Sequence, residues 1–155
     1  TTAFLDTLRY KPSPLRAKAA GGSIGRNYIT NAYRQIYPER TNPIESTMGP
    51  SPYLQMGRIT IARAFEDEFN AWYNTCYIPG YLTVPGCLRA RRFVAVDGVP
   101  KYLTIYEFAN PGVPDSEDWD KARTGNPWNA RMRPHVQLDP GSPAVFRRIY
   151  PEPVR

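Results

Sequence analysis

The sequence of 155 residues contains few of the side chains that build metal centres and nucleophilic sites. Its only histidine is His135, and its two cysteines, Cys76 and Cys87, lie eleven positions apart. It has neither a C-x-x-C pair nor an H-x-x-x-H pair, the spacings that hold zinc or mark a disulfide framework. We therefore expect two free thiols, no bound metal and no cofactor.

Long hydrophobic runs are lacking as well. No apolar stretch approaches the roughly 20 residues that a membrane-spanning helix needs, so no membrane partner is expected. No charged leader precedes an apolar segment, and free thiols are typical of a reducing compartment, so we expect a cytoplasmic protein. Proline, in contrast, is abundant: the 17 prolines predict that much of the chain is loop.

Negative charge is scarce only in the N-terminal part of the chain. Residues 1–57 carry seven Lys or Arg against three Asp or Glu, whereas residues 58–155 carry thirteen against eleven. We therefore divide the chain into an N-terminal arm, residues 1–57, and a domain, residues 58–155. A basic arm can contact phosphates or an acidic partner, but the nearly balanced domain does not favour nucleic-acid binding.

A short helix is predicted within the arm. Ser23 is a candidate N-cap and Pro38 a stop for apolar residues that recur at near-helical spacing, namely Ile24, Tyr28, Ala32, Tyr33 and Ile36. Because a long arm is entropically costly to order alone, we expect it to pack over the subunit or its partner.

The domain alternates strand and helix patterns. These patterns predict a strand at 58–64, a helix at 65–76 that ends at Pro79-Gly80, strands at 87–96 and 101–109, a helix from Ser116 towards Met132, and a strand at 144–150. The βαββαβ order is that of the ferredoxin-like α+β fold, in which two helices cover one face of an antiparallel sheet.

Both faces of the predicted strands carry large apolar groups. In the strand at 101–109 the side chains of Tyr102, Tyr106 and Phe108 point one way, and those of Leu103 and Ile105 the other. Because a large exposed apolar face is rarely tolerated, we expect a homodimer that forms through the sheet face. The alternative is an RNA platform of stacked aromatics. The strand departs from the RNA-recognition signature, which needs a glycine where Tyr102 stands.

Two runs resemble the EthD-like group of the dimeric α+β barrel proteins. Trp72-Tyr73 and Pro79 match the W-Y-x-x-x-H-x-P run of that group, and the run from Pro85 to Phe93 matches P-G-[FC]-x-x-x-R-R-[FY]. The resemblance covers residues 58–150 and implies two subunits whose sheets enclose a cavity. The group includes monooxygenases, polyketide cyclases, dehydratases, isomerases and lyases. The resemblance thus implies a cofactor-independent enzyme acting on a small hydrophobic or aromatic molecule.

Two residues are candidates for catalysis. Tyr77 stands where the resemblance places a histidine that can transfer protons, and a tyrosine there suits a hydrogen-bond donor or acid better than a base. Alternatively, Tyr77 only closes the mouth of the barrel. The unperturbed pKa of His135 suits acid–base chemistry near neutrality, although a histidine at a helix end is also favoured by the helix dipole.

Six further residues are candidates for substrate binding, namely Trp72, Tyr73, Arg91, Arg92, Tyr106 and Trp128. Strand alternation places Arg91 on one face and Arg92 on the other, and an arginine in a dry cavity needs an anion. A salt bridge to Glu107 on the neighbouring strand is the structural alternative, and the two tryptophans fit a core better than a substrate platform. The alternative to an enzyme is a non-catalytic protein that binds a hydrophobic ligand or serves in assembly.

Overall fold

The structure, a computed structural model, describes residues 31–39 and 49–151. Its strands form an antiparallel sheet in the order β1-β3-β4-β2-β5, with β6 beside β2. The strands are β1 Ala32–Tyr37, β2 Tyr53–Ile61, β3 Cys87–Asp97, β4 Tyr102–Phe108, β5 Val136–Leu138 and β6 Ala144–Arg147.

The helices pack together on one face of this sheet. They are α1 Glu66–Trp72, α2 Ile78–Leu82, α3 Glu117–Thr124 and α4 Pro127–Met132, with 3₁₀ turns at Arg63–Phe65, Val113–Asp115 and Arg133–His135. The predicted α+β class is therefore confirmed, and the arrangement is compatible with a ferredoxin-like fold. None of the helices within residues 31–39 and 49–151 is long and apolar enough to cross a membrane.

The first strand corrects the prediction for the arm. A helix ending at Pro38 is wrong for the described residues, because Ala32–Tyr37 is β1. This segment pairs with β3, where Tyr33 lies opposite Ala95. Aromatic and β-branched residues suit a strand, and pairing with a neighbour overrides weak helical spacing. The rest of the predicted helix lies outside the described residues. The boundary between residues 57 and 58 stays a prediction, and β2 spans it.

The first helical segment does not end at Pro79-Gly80 as predicted. A π-helical turn at Tyr73–Tyr77 joins α1 to α2, and the N–H of Ile78 donates to the carbonyl of Tyr73 five residues earlier. Pro79 then lies in the first turn of α2, where a missing N–H is tolerated. The segment therefore continues to Leu82 and brings one more tyrosine, Tyr81, onto the sheet.

The second helical segment begins as predicted and is then interrupted. Ser116 is its N-cap, and the Ser116 hydroxyl accepts a hydrogen bond from the N–H of Trp119 at 3.2 Å. The helix towards Met132 is broken at Gly125, after which Asn126 caps α4. Strand β5 was not predicted, and the last strand ends at Arg147 rather than at Tyr150.

The core lies between the helices and the inner face of the sheet, which we define as the face that the helices cover. Tyr102, Tyr106 and Phe108 of β4 are buried there against α1, α2 and α3. These aromatic side chains are thus enclosed and offer no open surface for stacking bases. The outer face of β4 carries Ile105 and Glu107.

Candidate functional site

A cavity of about 260 Å³ lies between the inner face of the sheet and the helices. Its floor is formed by β2 and β4 through Gln55, Gly57, Ile59, Thr104 and Tyr106, and its wall by Tyr73, Tyr77, Tyr81, Trp119, Arg123 and Arg133. We call it the tyrosine cavity. Its volume is slightly below the roughly 300–1,000 Å³ of drug-sized pockets, which suits a ligand of one ring or a short chain.

The tyrosine cavity opens into a wider surface depression of about 680 Å³. The two share Gln55, Trp119, Arg123 and Pro143. The depression is shallow and mostly open to solvent, so it serves better as an entrance than as a binding site in its own right.

Three tyrosines at positions i, i+4 and i+8 line the helical wall. Because the π turn takes one extra residue into its winding, Tyr73, Tyr77 and Tyr81 all reach the cavity. Their rings are in contact, with centroids 4.9 Å apart for Tyr73 and Tyr77 and 4.7 Å apart for Tyr77 and Tyr81. The Tyr81 hydroxyl donates to the Tyr77 hydroxyl at 2.9 Å.

The direction of that hydrogen bond gives the two hydroxyls different properties. Burial raises the pKa of both Tyr77 and Tyr81 above the ordinary value, so both are neutral phenols near pH 7. For Tyr77 the hydrogen bond from Tyr81 and the charges of Arg133 and Arg123 offset part of this rise in pKa. Tyr77 is therefore the member of the pair that more readily gives up a proton, and the Tyr81 hydroxyl stabilises the resulting oxygen.

Two hydroxyls at the floor lack partners. The Tyr106 hydroxyl and Thr104 Oγ1 are sealed from solvent and make no hydrogen bond of acceptable geometry to another described residue. Weak hydrogen-bonding contacts of both with the Tyr73 hydroxyl, outside normal geometry, lower the pKa of Tyr73, although burial, the larger effect, raises it. Buried polar groups of this kind are costly in a native protein and call for an explanation.

A buried arginine supports the cavity from behind. Arg92 is fully buried, and its guanidinium donates to Asn74 at 2.5 Å and to Asn70 at 2.9 Å. It lies 4.5 Å from the ring centroid of Tyr73 and 4.9 Å from that of Phe69. Its charge lowers the pKa of Tyr73 against the effect of burial, so Arg92 polarises this tyrosine without lining the cavity.

Of the residues predicted from the sequence as site residues, the cavity brings together Tyr73, Tyr77 and Tyr106. His135 lies outside it, stacked on Phe65 with ring centroids 3.7 Å apart. Tyr77 and His135, the two predicted catalytic residues, therefore do not share one pocket.

Three other predicted residues are held elsewhere. Trp72 is in the core, where its indole N–H donates to Asn129 at 2.8 Å. Trp128 is half-buried and donates to Glu68 at 3.0 Å. Arg91 lies on the outer face of the sheet with its guanidinium 2.5 Å from Glu107, which is the salt bridge weighed as the structural alternative.

The residues that line the cavity and that the sequence analysis missed include Tyr81, Thr104, Arg123 and Arg133. The spacing of Tyr73, Tyr77 and Tyr81 was a usable signal, but the helix was predicted to end before Tyr81. The two arginines come from α3 and from the turn after α4, and nothing local marks them as neighbours of Tyr77.

The thiols contribute no nucleophile to this site. Cys76 and Cys87 are both free, and burial raises the pKa of Cys76 and takes that of Cys87 to about 12. No group of three His, Cys, Asp or Glu side chains within the described ranges is placed to hold a metal ion.

The sequence matches no protein-family model and shows no significant similarity to a curated protein.

Proposed function

We propose that the chain is a cofactor-independent enzyme that polarises a carbonyl oxygen of a small hydrophobic or aromatic substrate in the tyrosine cavity. The observation that carries this proposal is the donation of Tyr81 to Tyr77 beside two arginines. No Asp, Glu or His is among the described residues that line the cavity. Such a site suits an oxygen that gains negative charge during the reaction.

The step itself is a proton transfer to oxygen. When an α-carbon of the substrate loses its proton to water at the entrance, negative charge develops on the adjacent carbonyl oxygen, and Tyr77 donates its proton to it. The hydrogen bond from Tyr81 then stabilises the phenolate oxygen of Tyr77, and a proton from solvent returns Tyr77 to the neutral phenol. Isomerisation, cyclisation and elimination next to a carbonyl all contain this step.

The same proposal includes a homodimer formed through the outer faces of two sheets, as in the dimeric α+β barrels that the sequence resembles. It is supported by the position of Met56 beside Ile105, and of Leu54 beside Phe146, in the strand register. Phe146 is 48% exposed in the single chain, which is unusual for a phenylalanine next to other apolar side chains. Light scattering of the purified protein measures the subunit number directly.

The enzymatic proposal is tested first by native mass spectrometry of the purified protein, with identification of any small molecule released on denaturation. Turnover of that molecule or its close analogues is then compared in Tyr77→Phe and in Tyr53→Phe. Tyr53 lies on β2 and does not line the cavity, so its variant is a matched control. We expect Tyr77→Phe to lower kcat at least 100-fold with little change in affinity, as removal of a general acid does.

A non-catalytic binding protein is the second candidate. It is favoured by the raised pKa values of the cavity tyrosines, because no described residue that lines the cavity titrates near neutrality as a base. In that case Tyr77→Phe changes only the affinity for the released molecule, and no turnover is seen with the parent protein either.

A further inference from the structure

Arg133 marks a place for a negative charge at the edge of the tyrosine cavity. It lines the cavity and acts on the pKa of both Tyr77 and Tyr81, so its charge is felt inside. Arg133 is exposed to solvent, and within residues 31–39 and 49–151 it has no carboxylate partner and no side-chain hydrogen bond. The other arginine of the cavity, Arg123, is already paired with Asp120 on the same helix.

Acidic and basic side chains are distributed unequally between the tyrosine cavity and the outer depression. The acidic side chains of the region, Asp115, Glu117 and Asp120, line the outer depression, whereas the tyrosine cavity is lined by two arginines and no described carboxylate. An arginine at the solvent-exposed edge of a cavity with no acid in it can bind an anion that arrives with the ligand.

A simpler explanation of Arg133 is its place at the C-terminal end of α4, where the helix dipole favours a positive charge. That explanation accounts for a basic residue at this position, but not for its membership of the cavity or its effect on Tyr77 and Tyr81.

We infer that the ligand is a small monocarboxylate with one ring or a short chain. Its carboxylate binds Arg133, while a carbonyl oxygen elsewhere on the ligand, called the second oxygen below, is directed to Tyr77. The inference rests on the proposed function for the role of the second oxygen. The carboxylate contact is independent of it, because a binding protein would use Arg133 in the same way. The cavity volume of about 260 Å³ limits the ligand to about one ring.

The test uses the full chain and a panel of single-ring keto acids, each paired with its own primary amide, beginning with 4-acetylbenzoate and 4-acetylbenzamide. Binding is measured by calorimetry and ligand-observed NMR. We expect the acids to bind and the amides to bind at least tenfold more weakly, since an amide cannot form the charge-assisted pair.

Variants then assign the contact to Arg133. Arg133→Gln should weaken acid binding about tenfold and leave the amides unchanged, and Arg133→Lys should restore part of the loss. Arg131→Gln is the matched control, because Arg131 is two residues away, exposed, and paired with Glu68 outside the cavity.

The possible outcomes separate the two proposals. Equal binding of acids and amides, an unchanged affinity in Arg133→Gln, or no binding by any acid of the panel each overturns the monocarboxylate inference. Acid binding that depends on Arg133, but with no turnover and no effect of Tyr77→Phe beyond affinity, supports the inference and removes the proposed enzymatic function.

Discussion

Removal of the Tyr106 hydroxyl should make the protein more stable. This hydroxyl is sealed from solvent and makes no hydrogen bond of normal geometry to another described residue, while the ring is packed against Tyr81 and Trp119. Tyr106→Phe keeps the ring and deletes only the costly atom. The matched control is Tyr102→Phe on the same face of β4, because the Tyr102 hydroxyl donates to Glu66 at 2.5 Å and accepts from Asn70 at 3.0 Å.

The two substitutions should shift the free energy of unfolding in opposite directions. A buried polar group without a partner costs about 1–3 kcal/mol, and the lost dispersion contacts of one oxygen offset part of the gain. We expect Tyr106→Phe to raise the free energy of unfolding by about 1 kcal/mol. Tyr102→Phe loses two hydrogen bonds, one of them to a carboxylate, and should lower it by about 1–2 kcal/mol.

Urea denaturation followed by tryptophan fluorescence measures both changes, with calorimetry as a second readout. A shift of 1 kcal/mol corresponds to about 2–4 °C in Tm for a chain of this size. If Tyr106→Phe is destabilised as much as Tyr102→Phe, then the Tyr106 hydroxyl is satisfied in the free protein, and the view that it lowers the stability of the fold is refuted.

Two further substitutions test the two faces of the sheet. Glu107 is buried with Arg89 and Arg91; burial opposes its ionisation, but hydrogen bonds from Ser51 and Arg89 and the arginine charges outweigh this and lower its pKa. Its contribution is therefore present above about pH 4.3, the ordinary value, and is lost as the pH falls through the lower folded pKa. Glu107→Gln should lower the free energy of unfolding by about 2–3 kcal/mol at pH 7, a figure discounted because Arg91 is 42% exposed. In acid titrations followed by circular dichroism, the variant should lose less stability below about pH 5 than the parent protein. An equal loss of stability in both proteins would contradict this. On the inner face, a Cβ at Gly57 would meet no atom closer than 3.9 Å, so Gly57→Val should fold with an unchanged or higher Tm. Its side chain should occupy part of the cavity and weaken ligand binding, measured by calorimetry, at least tenfold. An unchanged affinity would place the ligand elsewhere.

Much of the sheet was predictable because strand alternation is a local property. The alternation correctly separated Arg92 from Arg91, and it allowed the salt bridge with Glu107 to be anticipated. The N-cap at Ser116 was predictable for the same reason, since a cap depends on a few consecutive residues.

The errors arose where distant residues decide the local structure. Ala32–Tyr37 is a strand only because β3 offers an edge to pair with, and helical spacing of a few apolar residues carries no information about that edge. Pro79 was interpreted as a stop because a regular α-helix cannot accept it. The π turn before it removes the conflict, and this turn has no simple sequence signature. The omission of Tyr81 from the candidate site followed directly.

The two faces of β4 hold different buried polar groups, and the inner face adjoins the tyrosine cavity. On the outer face the Glu107 carboxylate is met by two guanidinium groups at 2.5 Å, although Nε of Arg91 is sealed from solvent without a partner among the described residues. On the inner face Thr104 and Tyr106, either side of Ile105, keep hydroxyls without partners next to a cavity. Hydrophobic residues of similar shape, valine and phenylalanine, would remove this cost, so the two hydroxyls lower the stability of the protein at the floor of the cavity that the proposed function uses.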